Sequence, residues 1–186
     1  MDSAHRETAD WNVVVTISEP TFHEASRLLR QWGKIRRTGF HNVIGVAVAE
    51  PRRFLDEFAA SVGHEPGLLN FVSHVVPADH VFDFRDEADF ASRARETVLG
   101  WAPRLAGKSF LVRMHRRGLK GAMHAHDEER MLADAILAQT AAGGSPAHVA
   151  LDDPDCVVLV ETIGNRAGLS FWSREERQKF PFLGID

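Results

Sequence analysis

The chain has 186 residues, 44% of them hydrophobic and 26% charged, with a net charge of −4. That is the composition of one ordinary globular domain or two small ones; it excludes a disordered chain and a uniformly basic nucleic-acid binder, and no apolar run approaches the ~18 residues of a membrane span. The single cysteine, Cys156, excludes an internal disulfide and a multi-cysteine zinc site, and Met1 to Arg6 lacks the apolar centre of a secretory signal, so the expected compartment is the cytoplasm.

In chain order, Trp11 to Ile17 is short and β-branched and predicts a buried strand. Ser18-Glu19-Pro20 predicts a helix start, and Phe22, Ala25, Leu28, Leu29 and Trp32 recur at helical spacing before Gly33 stops the helix. Lys34 to Phe40 and Val43 to Ala49 flank His41-Asn42 and predict a hairpin. Glu50-Pro51 opens a second helix with Phe54, Leu55, Phe58, Ala59 and Val62 on its inner face, ended by Gly63. Phe71 to Phe84 is extended and interrupted by Pro77. The order β-α-β-β-α-β within 11–85 predicts a ferredoxin-like domain, one antiparallel sheet with both helices on one face.

The second half, 86–186, differs. Asp86 to Leu105 reads as a helix, and Gly107 breaks it. In Ser109 to His115 the residues Phe110, Val112 and Met114 point one way and Leu111, Arg113 and His115 the other. Arg116 to Gly121 is a basic loop flanked by glycines, and Asp127 is the expected N-cap of a helix whose stripe is Met131, Leu132, Ala135 and Ile136. Strands over 147–151, 156–163 and 169–173 follow, with Asp152-Asp153-Pro154-Asp155 as a turn. The fold class is therefore α+β, with domains at 11–85 and 86–186.

The chain has no dinucleotide fingerprint, no phosphate loop ending in Gly-Lys-Ser/Thr and no nucleophile elbow. Cys156 lies in an apolar strand and reads as a core residue rather than a nucleophile. His124 and His126 have a spacing that suits one metal ion, but no further ligand set accompanies them; a polar loop before a helix is the better reading. Residues 97–126 hold no acidic residue but do hold Arg104, Lys108, Arg113, Arg116, Arg117 and Lys120, which leaves −10 on the rest of the chain. Arginines grip phosphates bidentately and glycines let a backbone approach closely, so this stretch suits a phosphate-rich polymer; Arg166, between Gly164 and Gly168, adds to it if its hairpin lies nearby. The other reading is a solvated cluster, or one paired with acids brought near by the fold.

The second half resembles a THUMP domain, the module of thiouridine synthases, RNA methylases and pseudouridine synthases. The resemblance rests on Lys108-Ser-Phe-Leu-Val-Arg-Met-His-Arg-Arg-Gly118, Glu129 to Leu137, Val149-Ala-Leu-Asp-Asp-Pro-Asp155, Val157 to Glu161 and Gly168 to Ser173. A ferredoxin-like domain before the THUMP core is the usual arrangement, so the resemblance spans roughly 11–183. It implies RNA binding, typically of the acceptor stem and 3′ end of tRNA; with the charge pattern, Arg113, Arg116, Arg117 and Lys120 are expected to neutralise phosphates, supported by Lys108 and Arg166. It is similar above all to the stand-alone adaptor of tRNA cytidine acetylation. That similarity implies a chain without catalytic residues, cofactor or metal, which works beside a separate tRNA-modifying enzyme such as an acetyltransferase. Two alternatives remain: a protein-binding ferredoxin-like module without RNA affinity, and a metal-dependent enzyme using the His124 and His126 region.

Overall fold

The computed structural model describes residues 10–18 and 21–185. The Met1 to Arg6 segment and the Glu19-Pro20 helix-start signal lie outside the described residues. The described residues form two compact units, one running up to Asp79 and joined by 180–184, the other spanning 80–179 with Ile185. Among the described residues no helix is long and apolar enough to cross a membrane.

The first unit has strands β1 (Val13–Ile17), β2 (Gly33–Arg37), β3 (Val43–Val48) and β4 (Val72–Pro77), with helices α1 (Phe22–Leu29) and α2 (Pro51–His64). Its sheet order is β2-β3-β1-β4, with all pairs antiparallel. This is the ferredoxin-like order that β-α-β-β-α-β predicts, because each crossover must return to the same sheet on the same hand. Val13, Val14 and Val15 run consecutively along β1, buried on both faces of the sheet, and register sets Val13 opposite Val46 and Val15 opposite Ile44. Pro51 occupies the first turn of α2, where its missing N–H removes no helical bond. Trp32, Phe54 and Phe58 pack edge to face at 5.4 and 6.0 Å from the tryptophan ring. Residues 180–184 complete this core: Phe182 lies 5.0 Å from Phe58, and its carbonyl accepts the Val75 N–H at 2.9 Å.

The second unit has strands β5 (His80–Asp83), β6 (Ser109–Arg117), β7 (His148–Val149), β8 (Cys156–Ile163) and β9 (Arg166–Ser173), with helices α3 (Glu87–Gly100), α4 (Ala102–Leu105), α5 (Ala125–Ala142) and α6 (Arg174–Lys179). Its sheet order is β5-β9-β8-β6-β7; β6 runs parallel to β7 and β8, and the other pairs are antiparallel. This is the α+β THUMP-type arrangement expected for the second half. One sheet face, with Phe110, Val112, Met114, Val158, Val160, Leu169 and Phe171, packs on Phe90, Val98, Leu132 and Ile136 from the helices. The structure divides at Asp79 rather than near Asp86, because β5 pairs with β9 and so belongs to the second sheet.

Two local expectations change, and a third is met. The predicted helix over 86–105 breaks at Trp101, with Pro103 inside the short α4. Helix α5 begins at Ala125 with His124 as its cap residue, so Asp127 sits in the first turn, where its charge favours the helix dipole. Asp155 accepts the Ser109 N–H and hydroxyl, both at 2.9 Å, and Arg174 binds Asp155 and Asp153. The acidic turn thus ties β6 to β8 through backbone bonding, as read.

Candidate nucleic-acid interface

Strand β6 carries most of the predicted cations, but the structure separates them. Lys108 precedes the strand, and Lys120 lies in the loop beyond its far end. Nine residues of strand hold the two ends roughly 26 Å apart. Lys108 and Lys120 are exposed, whereas Arg113, Arg116, Arg117 and Arg166 are half-buried. Buried Cys156, at the Lys108 end, belongs to the core, and burial above all raises its thiol pKa.

At the far end, the β6 face away from the helices ends in a buried ion network. Glu161 on β8 stands in register opposite His115 and is 2% exposed. His115 Nδ1 lies 2.6 Å from Glu161 Oε1, and Arg117 donates to Glu161 Oε2. Arg166 donates to Asp83 Oδ1 at 3.0 Å across the β5–β9 pair. The reading of cations paired with acids is therefore right for Arg117 and Arg166. Arg113 Nε is buried without a hydrogen-bond partner among the described residues.

The loop after β6 is pinned at both ends. The Gly164 N–H donates to the Arg117 carbonyl at 2.9 Å, which brings the β8–β9 hairpin against the loop. Arg116 donates to the Gly118 carbonyl. Leu119, with φ +53°, packs on the core, and its carbonyl accepts the N–H groups of Ala122 and Met123. Gly118 has φ +89°, and a Cβ there would meet Gly164 N at 3.3 Å. Gly118→Ala is therefore expected to cost about 1–2 kcal/mol in urea unfolding, since left-handed backbone and close contact both oppose the methyl. An unchanged midpoint would contradict this geometry.

The hairpin tip leads to a cation that sequence reasoning missed. Asn165 bonds Phe84 in both directions, at 2.9 and 3.1 Å, so Arg85 joins this end of the unit. Arg85 is 86% exposed by side chain. Its backbone N–H and then the Arg93 side chain hold Asp89 below the ordinary carboxylate range. In sequence, the acids at 86, 87 and 89 mask Arg85. His124 and His126 are exposed, and His126 lies 3.8 Å from Glu129; among the described residues no three His, Cys, Asp or Glu side chains gather as a metal-ligand set.

No family model and no curated protein sequence matches the chain. Solved structures do. PH1313 from Pyrococcus horikoshii Ot3 is 14% identical over 86% of this chain and 53% of its own, with TM-score 0.62. TrmN from Thermus thermophilus is 22% identical over 86% and 44%, with TM-score 0.55. A 4-thiouridine synthetase solved with RNA and ATP is 14% identical over 88% and 42%, with TM-score 0.51. The chain thus spans about half the length of these proteins or less. The likeness is one of fold.

The comparison corrects one expectation. The chain was read as no enzyme, yet its fold neighbours include the 4-thiouridine synthetase and TrmN, and SMU.472, described as a methyltransferase complexed with SAH, at TM-score 0.50 and 15% identity. The non-catalytic reading rested on the resemblance to the adaptor together with missing motifs, and neighbours of this kind on the same fold overturn it. The separate acetyltransferase partner followed from that reading and has no support of its own.

Proposed function

We propose that this chain is the RNA-binding part of a tRNA-modifying enzyme and takes the acceptor stem or 3′ end of tRNA at the cationic end of β6. The observation that carries the reading is the loop of residues 116–121, an acid-free basic segment pinned by Gly164 on one side and by Leu119 on the other. The solved RNA complex on the same fold lends it weight. A prefixed loop loses little conformational entropy when it meets phosphates. Arg116 and Lys120 make the phosphate contacts, with Arg85 beside them. Arg117 and Arg166, held by Glu161 and Asp83, shape the surface and contribute field rather than grip. Arg113 backs the same strand, and Lys108 belongs to a second patch with Arg104 at the opposite end. The acids in the first turn of α5 offset its positive pole, so that helix end is no phosphate seat. Shape rather than base sequence governs recognition, since A-form RNA hides its base edges in a deep narrow groove.

The test is a titration with total tRNA at several salt concentrations. Neutralising about three phosphates gives a slope of log affinity against log salt near −3. Arg116→Ala and Lys120→Ala each make the slope shallower by ~1 and weaken binding to all tRNAs alike, while Lys108→Ala leaves it nearly unchanged. Salt-independent binding, or equal losses from all three variants, would overturn the assignment.

A further inference from the structure

The first unit carries a different feature at the β2–β3 turn. Arg37 ends β2, and the chain reverses through Gly39 at φ +77°. The Thr38 hydroxyl donates to the Val43 carbonyl at 2.7 Å and accepts the Phe40 N–H at 3.2 Å, so the turn is braced by its own side chain. This leaves Phe40 39% exposed at the tip. Phe22, the first residue of α1, carries the Arg37 guanidinium 5.3 Å above its ring centroid. Phe22, Arg37, Phe40 and His41 line an open cavity of about 340 Å³, with Thr38, Gly39 and Val43 completing the wall.

The lining chemistry narrows the ligand. No carboxylate is present, and Arg37 with His41 disfavours a cation. Two aromatic rings offer a stacking face, and the guanidinium offers a fork for a phosphate. A planar base joined to an anion satisfies both. Bases in an A-form helix are stacked on one another, so the occupant must be unpaired. The volume lies at the small end of ligand cavities, which run from ~300 Å³.

We propose that the cavity at the β2–β3 turn clasps one unpaired nucleotide of an RNA, its base stacked on Phe40 and its phosphate held by Arg37. The proposal rests on the RNA-binding reading above but places a second contact on the other unit.

The experiment titrates the full chain against a short single-stranded RNA carrying 2-aminopurine, whose fluorescence falls when the base stacks. Wild type quenches it. Phe40→Ala abolishes the quenching and weakens affinity roughly 5- to 100-fold, as loss of one base–aromatic stack does; Phe40→Tyr keeps both. Circular dichroism of each variant controls for folding. Arg116→Ala weakens binding yet leaves the quenching of the saturated complex. Adenosine monophosphate competes no better than inorganic phosphate. If Phe40→Ala quenches and binds like wild type while tRNA binding stays salt-dependent, the clasp is wrong and the RNA reading stands. If adenosine monophosphate displaces the RNA at equal concentration, the cavity takes free nucleotides and the clasp is again overturned. If neither RNA binds wild type, both readings fail.

Discussion

Glu161→Ala is expected to destabilise the second unit by about 3–5 kcal/mol, the cost of leaving a buried charge without its partner. At ~2–4 °C per kcal/mol this lowers the melting temperature by roughly 6–20 °C. The carboxylate sits on β8 between β6 and β9 and is 2% exposed. It binds His115 at 2.6 Å and Arg117 together. Deleting it strands the half-buried Arg117, whose guanidinium cannot give up its proton. The double change Glu161→Leu with Arg117→Met removes both charges and keeps the volume, and most of the stability is expected to return. Urea unfolding of both variants decides the matter. A small loss in the single variant would mean that water reaches this network. Because Arg117 also anchors the loop through its carbonyl bond to Gly164, the single variant is further expected to loosen tRNA binding where the double variant does not.

The second large effect concerns pH. Glu128, in the first turn of α5, is 4% exposed, and its pKa is pushed up to about 7, by burial first and then by the Glu87 carboxyl bonded to it. The folded value lies above the unfolded value of 4.5. Protonated Glu128 therefore stabilises the fold fully below pH 4.5, and that stability is lost as pH rises through 7. The loss by pH 8 is about 1–3 kcal/mol. Glu128→Gln keeps a donor for Glu87 and cannot ionise, so it is expected to be more stable than wild type at pH 8 by that amount and indistinguishable near pH 4. Melting curves at both pH values test this. Parallel pH profiles for the two proteins would show that Glu128 ionises freely in the folded state.

The first unit was legible because each element carries its own signal. A short β-branched run marks β1, Pro51 starts α2, and Gly33 closes the loop after α1. The second sheet was harder, because its pairing is nonlocal. Nothing in 80–83 distinguishes a strand that continues β4 from one that joins β9, a partner more than eighty residues away. The start of α5 at Ala125 was hidden for a related reason: Asp127 is a strong cap by type, but the core contacts of Met123 and Leu119 set the turn three residues earlier. Charge was legible as composition and not as pairing. Arg116 and Arg117 look alike in sequence, yet strand alternation sends Arg117 to buried Glu161 and turns Arg116 onto its own loop. Arg85 was hidden among acids, and only Asn165 reveals where it stands.

Residues 180–184 belong to the first unit although the whole of 80–179 precedes them. On the ribosome, then, the N-terminal unit cannot finish until nearly the whole chain has been made. Its sheet can form early, but the Phe58 side and the β4 edge wait for Phe182. At 5–20 residues per second, the intervening stretch imposes a delay of roughly 5–20 s. The last helix of the second unit ends at Lys179, so the two units are completed within a few residues of one another. Folding of the first unit therefore trails its own synthesis, and over that interval a half-finished β-sheet edge is what the nascent chain must keep from aggregating.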